Sequence, residues 1–200
     1  MLACARLSYM SKFNWINPIA GEPKRFLCGH CDCIVGPNLG YRAPNQGANQ
    51  MRQILICSNC EAPTYFDEKG SQCPGPPYGR PVKHLERDVD GLYNEAKLAF
   101  SIKAYTSTVM TCRKLLMHIA VAKGAKAGET FLKYIEFLRE GHFIPPNCEV
   151  WVDRIREKGN EANHEITLMS ETDAKQLIDF TEMLLKFVYE FPGALSQPDS

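Results

Sequence analysis

Two cysteine doublets decide the fold of the first part of this sequence: Cys28-Gly29-His30-Cys31 and Cys57-Ser58-Asn59-Cys60. Each doublet lets two thiolates approach one cation from a tight turn, and two doublets joined by a hairpin supply four sulfur ligands in a tetrahedron. We therefore expect a structural zinc ion. Its predicted ligands are Cys28, Cys31, Cys57 and Cys60. The alternatives are a disulfide pair, a redox Cys-x-x-Cys motif and thiols without a ligand, although a redox motif normally occurs once in a βαβ context.

Short apolar runs lead into both doublets and predict a small β zinc ribbon over residues 23–70, after an N-terminal segment of residues 1–22. Arg25-Phe26-Leu27 precedes the first doublet, and Gln53-Ile54-Leu55-Ile56 precedes the second. The 25 residues between the doublets slightly exceed the usual ribbon spacing. The sequence assigns this excess to a loop because of five turn-forming residues, Gly36, Pro37, Gly40, Pro44 and Gly47. Residues 71–84 are rich in Pro and Gly and predict a linker.

Helical periodicity begins near residue 85 and predicts an antiparallel helical bundle over residues 85–192, followed by a tail of residues 193–200. Apolar side chains recur every three or four positions in the stripes that start at Leu85, Tyr105 and Phe131. The third stripe stops at Gly141, where a residue without Cβ can adopt a left-handed turn. A short fourth helix is expected after Asn147. The last helix begins with a capping box at Ser170 and ends at Pro192, so the predicted fold class is mainly α.

Composition limits the class of protein. The chain has nine cysteines, of which five fall between Cys28 and Cys60, and this uneven set favours a metal site in a reducing cytoplasm over a disulfide scaffold. The sequence predicts no membrane span and a cytoplasmic location. Net charge is zero, but residues 1–84 carry +4 and residues 85–200 carry −4. The basic excess is compatible with a phosphate-bearing partner, and equally with two oppositely charged domains.

A second group of polar residues precedes the last helix, over residues 154–165. It combines Arg156, Lys158 and His164 with two asparagines, Asn160 and Asn163. A histidine with a pKa near 6.5 can take a proton from a ribose hydroxyl, and a fixed cation can stabilise the charge that develops on the phosphorus. The alternative is structural: the asparagines turn the chain and His164 hydrogen-bonds a backbone carbonyl.

Three runs in the second half resemble domain-of-unknown-function family 4145, a member of the HEPN-like helical superfamily. They are Leu92-Tyr93-Asn94-Glu95-Ala96, Cys112-Arg113-Lys114-Leu115-Leu116 and Lys158-Gly159-Asn160-Glu161-Ala162-Asn163-His164. The resemblance covers roughly Leu85 to Pro192, and the zinc ribbon lies outside it. It implies a HEPN-like helical bundle, frequent homodimers, and association with prokaryotic defence, restriction and toxin systems. Many relatives in the superfamily are metal-independent ribonucleases.

The motif of those ribonucleases is an Arg followed by four to six residues and then a His. The resemblance places His164 at the motif histidine. Arg156 precedes it with seven residues between, one more than the motif has, whereas Lys158 precedes it with five. Lysine supplies charge but lacks the planar fork with which arginine holds a phosphate in one orientation.

Three functions are consistent with these features. The leading hypothesis is a zinc-binding adaptor that recognises RNA, DNA or a protein and forms a homodimer without catalysis, in a larger defence or restriction complex. The alternative is a metal-independent endoribonuclease in which His164 acts as base or acid and Lys158 or Arg156 stabilises the transition state. A third hypothesis is a regulatory subunit whose ribbon docks on a larger enzyme.

Overall fold

The computed structural model describes residues 19–20, 24–37, 39–44, 51–145 and 168–196. The chain divides into two compact units, Met1–Pro77 and Tyr78–Ser200. The described part of the first unit contains small antiparallel sheets, and that of the second is helical. The fold is therefore mixed rather than mainly α, because the first unit has more strand than the sequence indicated. The division into five segments stays a prediction.

In the described residues of the first unit, seven strands form two sheets. They are β1 (Ile19–Ala20), β2 (Phe26–Leu27), β3 (Ile34–Val35), β4 (Leu39–Pro44), β5 (Met51–Ile56), β6 (Pro63–Phe66) and β7 (Gln72–Cys73). One sheet has the order β1-β4-β5-β6-β7, and the other is the β2-β3 hairpin. All the pairs are antiparallel. Residues 28–33 connect β2 to β3 and residues 57–62 connect β5 to β6, so each cysteine doublet lies in a hairpin turn, as predicted.

The core of the first unit is small and surrounds the cysteines. In β6 burial alternates, with Thr64 and Phe66 inside and Tyr65 outside, as the two-residue period of a strand requires. Phe66 meets Phe26 edge to face, with ring centroids 5.4 Å apart and planes at 83°. Leu55 packs in the same cluster. So few apolar side chains provide little free energy for folding, and a unit of this size normally depends on a metal ion.

Strand β4 lies in the segment for which the sequence predicts a loop, and that prediction is wrong. Leu39–Pro44 pairs with Met51–Ile56 along its whole length. Glycine is common in turns, but Gly40 lies close to the backbone of β5. A Cβ on Gly40 would lie 2.9 Å from the Ile54 carbonyl oxygen. A glycine in a strand often marks such a close approach, so its presence does not exclude a strand.

The second unit is built from five α-helices. They are α1 (Arg87–Ser101), α2 (Tyr105–Ala122), α3 (Phe131–Glu140), α4 (Glu171–Leu185) and α5 (Phe191–Ser196), counted over the described residues, with a π-helical segment at Lys186–Glu190. Helix α2 is central, since α1, α3 and α4 all pack against it. Its side chains Leu115, Leu116 and Ile119 are fully buried. None of the helices in the described ranges combines the length and hydropathy needed to cross a membrane.

The capping box predicted for the last helix is present. The Ser170 hydroxyl accepts from the Asp173 N–H, and the Asp173 carboxylate accepts from the Ser170 N–H. The third helix ends where predicted, because α3 stops at Glu140 and Gly141 is its C-cap. The left-handed residue is not Gly141, whose φ is −75°, but His142, with φ 58°. The predicted end of the last helix is wrong. Pro192 does not end the last helix, because the wider π-helical turn before it leads into α5, which continues to Ser196. The predicted fourth helix lies outside the described residues.

Candidate metal centre

The two cysteine turns have the same backbone hydrogen bonds. In the first turn the Asp32 N–H donates to the Cys28 carbonyl at 3.0 Å, and in the second the Glu61 N–H donates to the Cys57 carbonyl at 3.0 Å. The residue that ends each turn is left-handed, with φ 56° at Asp32 and 61° at Glu61. This repeated geometry directs both cysteines of each turn to one side of the hairpin.

Backbone N–H groups also point at the sulfurs. The His30 N–H donates to Cys28 Sγ at 3.4 Å, and the Asn59 N–H donates to Cys57 Sγ at 3.4 Å. Such bonds favour the thiolate over the thiol because they stabilise negative charge on sulfur. In both turns, therefore, a backbone N–H donates to the sulfur of the first cysteine.

The four sulfurs of Cys28, Cys31, Cys57 and Cys60 all lie within 4.8 Å of one another. Two cross-turn distances are shorter: Cys28 Sγ to Cys60 Sγ is 3.8 Å, and Cys31 Sγ to Cys57 Sγ is 3.7 Å. In a regular tetrahedron, zinc–sulfur bonds of about 2.3 Å place the sulfurs about 3.8 Å apart. The donor set therefore fits a four-coordinate metal ion, and this group can hold one.

Burial affects the thiols unequally. It raises the pKa of Cys28 to about 11, and it also raises the pKa of Cys60. At Cys31 the effect of burial is outweighed by hydrogen bonds, first from the Asn59 side chain, which together lower the pKa. Since a metal ligand must be deprotonated, the positive charge of a bound ion has to offset the raised pKa of the buried thiols.

The first cysteine turn packs closely against the segment around β7. A Cβ on Gly29 would lie 2.5 Å from the Gly75 carbonyl oxygen and 2.6 Å from that of Pro74. The Gln72 side-chain amide donates to the Leu27 carbonyl at 2.8 Å and to the Pro74 carbonyl at 3.0 Å. Residues 72–75 therefore cover the Cys28–Cys31 turn, a contact that the sequence did not predict.

Other polar residues near the cysteines have different roles. His30 Nε2 is hydrogen-bonded to the Pro63 carbonyl oxygen at 3.1 Å. The Asn59 amide donates to Cys33 Sγ and Cys31 Sγ, both at 3.5 Å. His30 thus links the first cysteine turn to the start of β6, outside the four-sulfur group.

The predicted catalytic residues His164, Lys158 and Arg156 lie outside the described residues, as does Asn160. Arg113, a basic residue of the second run that carries the family resemblance, is buried at 6% exposure. Its guanidinium carbon lies 4.4 Å from the centroid of the Phe131 ring, which is the geometry of a cation–π contact. Burial lowers its pKa. It is therefore part of the helical core.

A row of side chains on the large sheet was not predicted from the sequence. The register places Tyr41 opposite Ile54, and Ile54 opposite Tyr65. Directly paired residues point to the same face, so these three side chains form one row across β4, β5 and β6. Ile54 and Tyr65 are 38% and 36% exposed, and Tyr41 is half-buried. The alternation in β6 alone predicts an exposed Tyr65, but the row depends on recognising β4 as a strand.

Comparison with known proteins identifies a family for the second half of the chain. Residues 94–197 match the family described as "Domain of unknown function (DUF4145)", and this segment is half of the sequence. No curated protein matches the chain. No solved structure matches it either.

Proposed function

We propose that this chain, which belongs to the DUF4145 family, is a zinc-binding adaptor that holds single-stranded nucleic acid on its cysteine-bearing unit. The observation that carries the proposal is the pair of sulfur distances, 3.8 and 3.7 Å, which suit a tetrahedral Zn²⁺ site. Four thiolates without a carboxylate or water position favour zinc over magnesium or calcium and make the site structural.

The sheet supports the assignment of nucleic acid as the partner. Aromatic side chains on an exposed sheet stack on bases, and stacking does not depend on sequence. Tyr41 and Tyr65 lie two strands apart, about 10 Å, with Ile54 between them. The net charge of +4 on residues 1–84 favours a phosphate-bearing partner. The zinc ion has an indirect role, since it fixes the hairpin that carries Tyr65.

The resemblance found in the sequence supports three further parts of the proposal. The helical unit is HEPN-like, the protein forms a homodimer, and it works within a larger defence or restriction complex; the proposed cytoplasmic location depends instead on the cysteine usage. In this arrangement the helical unit joins copies of the chain and the cysteine-bearing unit recognises the partner. Catalysis is not required for this role.

A combined zinc and binding experiment tests the proposal. Purified chain should contain one zinc per chain by elemental analysis, and it should raise the fluorescence anisotropy of a labelled single-stranded RNA or DNA oligonucleotide. Tyr65→Ala should weaken oligonucleotide binding about tenfold and keep the zinc, since one stacked base contributes about 1–3 kcal/mol. Cys57→Ser should lose both zinc and binding.

Cys73→Ser is the matched control, because Cys73 is exposed and lies outside the four-sulfur group. It should keep both zinc and binding. Binding that survives Cys57→Ser and Tyr65→Ala would contradict the proposal. Full zinc content with no binding to any oligonucleotide would instead favour a protein partner for the adaptor.

The ribonuclease alternative remains a prediction from the sequence. It depends on His164 with Lys158 or Arg156, which the structure does not describe. Cleavage of RNA in the presence of a chelator would distinguish it from the adaptor.

A further inference from the structure

His30 and Asn59 occupy equivalent positions in the two cysteine turns. Each is the third residue of its doublet, and each donates its backbone N–H to the sulfur of the first cysteine at 3.4 Å. In both turns the left-handed residue follows two positions later. Because the backbones match, a difference in role between the two residues has to come from their side chains.

The two side chains make different contacts. His30 Nε2 is hydrogen-bonded to the Pro63 carbonyl oxygen at 3.1 Å, outside the four-sulfur group. The Asn59 side-chain amide instead donates to Cys31 Sγ, a predicted ligand in the other turn, at 3.5 Å. The same nitrogen donates to Cys33 Sγ, also at 3.5 Å, and an amide has two N–H groups for these two acceptors. Asn59 therefore links the second turn to sulfurs of the first.

The ligand sulfur that Asn59 reaches belongs to the most accessible of the four cysteines. Cys28 and Cys57 are fully buried and Cys60 is 7% exposed, whereas Cys31 is half-buried. A metal ion held by four thiolates is lost when one sulfur dissociates and a competing ligand takes its place, and the competitor must reach the site from solvent. The accessible side of the centre is therefore the side of Cys31.

The hydrogen bond from Asn59 opposes this kind of loss. An N–H that donates to a thiolate stabilises the negative charge on the sulfur, and so favours the form that binds a metal ion. The bond also occupies part of the sulfur surface that a competitor would approach. Groups that hydrogen-bond to metal ligands typically change metal affinity about 10–100-fold when they are removed. For one amide we expect the lower end of this range, about tenfold.

We propose that Asn59 is a positioning residue that closes the accessible side of the metal centre. It holds the Cys31 sulfur across the two turns and so sets the rate at which the metal ion is lost. His30, at the equivalent position, has no such role. The inference rests on the metal-binding part of the proposed function and is independent of the nucleic-acid part.

The rate of metal release tests the proposal. The zinc-loaded full chain is mixed with an excess of the chromophoric chelator pyridylazoresorcinol, and the colour of the zinc complex is followed with time. Asn59→Ala should release zinc about tenfold faster than the parent, because it loses the bond to Cys31. His30→Ala is the matched control, since it changes the equivalent residue and leaves the bond to Cys31 in place. It should release zinc at close to the parent rate.

Asn59→Asp separates hydrogen bonding from packing. Aspartate has nearly the shape of asparagine, but it replaces the N–H donors with a carboxylate beside the thiolates. If Asn59 donates to Cys31, Asn59→Asp should release zinc faster than Asn59→Ala, because like charges repel. If Asn59 only fills space, Asn59→Asp should resemble the parent and Asn59→Ala should be the faster of the two.

Alkylation shows whether Cys31 is the exposed point of the site. Iodoacetamide forms a carbon–sulfur bond with a thiolate and releases iodide, and fragmentation of the tryptic peptide of residues 26–42 distinguishes Cys28 from Cys31. In the zinc-loaded parent, Cys31 should be the first of the four ligands to react. Asn59→Ala should increase its rate of alkylation, and His30→Ala should not. The order in the parent requires no variant, so it tests the proposal even if Asn59→Asp does not fold.

The outcomes separate this inference from the proposed metal site. Zinc-loaded parent, Asn59→Ala and Asn59→Asp that release zinc at one rate would overturn the role of Asn59 and leave the metal centre in place. Alkylation that starts at Cys28, Cys57 or Cys60 would also overturn it. A parent chain that contains no zinc would overturn the proposed metal centre, and this inference with it.

Discussion

Asp32 and Glu61 occupy equivalent positions in the two cysteine turns and share a left-handed backbone conformation, with φ of 56° and 61°. Each donates its N–H to the carbonyl of the first cysteine of its doublet, at 3.0 Å. Residues with a Cβ rarely adopt this conformation, which costs roughly 1–2 kcal/mol relative to the right-handed one. Both turns carry this cost, because each turn must close within a few residues to bring its two sulfurs together.

Substitution at Glu61 should therefore alter metal affinity without touching a ligand. Glu61→Val adds β-branching at a left-handed position and should weaken zinc binding about tenfold, whereas Glu61→Gly should bind at least as tightly as the parent. Competition with a chromophoric chelator measures both constants. Asp32→Val should reproduce the effect, and equal affinities for the Val and Gly variants would show that the backbone conformation is not under strain.

Removal of the metal should unfold the cysteine-bearing unit and leave the helices. The first unit has a small core around the cysteines, whereas the helical unit buries its own. A chelator added to the zinc-loaded chain should abolish amide protection in β5 and β6 in hydrogen exchange, while helical ellipticity stays within about a tenth of its value. Cys57→Ser should behave like chelated protein and Cys73→Ser like the parent. Loss of helical signal on chelation would contradict this division.

Gly79 and Gly91 should respond to alanine in opposite directions. At Gly79 the φ is +91°, and a Cβ would lie 2.7 Å from Tyr93 Oη and 2.8 Å from Ile178 Cγ2, so Gly79→Ala should cost about 1–3 kcal/mol of unfolding free energy. Gly91 lies in α1, where a Cβ would meet open space, so Gly91→Ala should add about 0.5–1 kcal/mol. Urea unfolding monitored by helical ellipticity measures both changes, and a stabilised Gly79→Ala would be inconsistent with the packing described.

The helical unit should lose stability in acid partly through Glu182. Burial raises the pKa of this carboxyl, but hydrogen bonds from the Arg80 N–H, Lys186 and Tyr93 outweigh it, so the pKa is lower than the ordinary 4.5. A depressed folded-state pKa gives stability that is present above the unfolded-state value and lost as pH falls through the folded-state value. The stability difference between the parent and Glu182→Gln should therefore shrink as the pH is lowered below about 4.5.

Urea midpoints of both proteins, measured from neutral pH to about pH 3, provide the test. Asp179, whose pKa is raised by burial and by the charge of Glu182, does not cancel between the two proteins, so the comparison is repeated with Asp179→Asn in both. A difference that stays constant over this range would mean that Glu182 does not titrate with a lowered pKa.

An RNA cleavage assay with and without His164 distinguishes the adaptor from the ribonuclease. The adaptor predicts no cleavage of single-stranded RNA by the parent chain in the presence of a chelator. The ribonuclease alternative predicts cleavage that His164→Ala abolishes and that Lys158→Ala or Arg156→Ala reduces, with helix content unchanged. Gel analysis of a labelled RNA, with His118→Ala as a histidine control in α2, separates the two.

Local patterns predicted much of this fold. The cysteine spacing determines the two hairpins, and Ser170 with Asp173 marks the start of α4, because these features depend on neighbours within a few residues. Gly40 and Pro192 led to wrong predictions for the same reason. Glycine often interrupts a strand and proline a helix, but at these two positions the surrounding structure determines the backbone. Strand β5 lies against Gly40, and a π-helical turn precedes Pro192.

The candidate sites also differ in how far they could be predicted from the sequence. The four cysteines are recognisable by type and spacing, and the structure brings the same four sulfurs together. The hydrogen bond from the Tyr78 hydroxyl to Asp179 was not predictable, because the two residues are 101 positions apart and meet only through tertiary packing. The Tyr41–Ile54–Tyr65 row required the register of three strands, one of which the sequence does not reveal.

The cover that residues 72–75 place over the first cysteine turn has a consequence for how the protein is made. The N-terminal end of a chain leaves the ribosome first. Cys28 and Cys31 therefore emerge before the other two cysteine ligands and before Gln72 and Gly75, which cover the first turn. A nascent chain cannot complete the covered metal site until the last of these residues has left the exit tunnel. We expect that a separately produced fragment of this unit needs residues up to Gly75, beyond the last cysteine ligand, for its first cysteine turn to be covered.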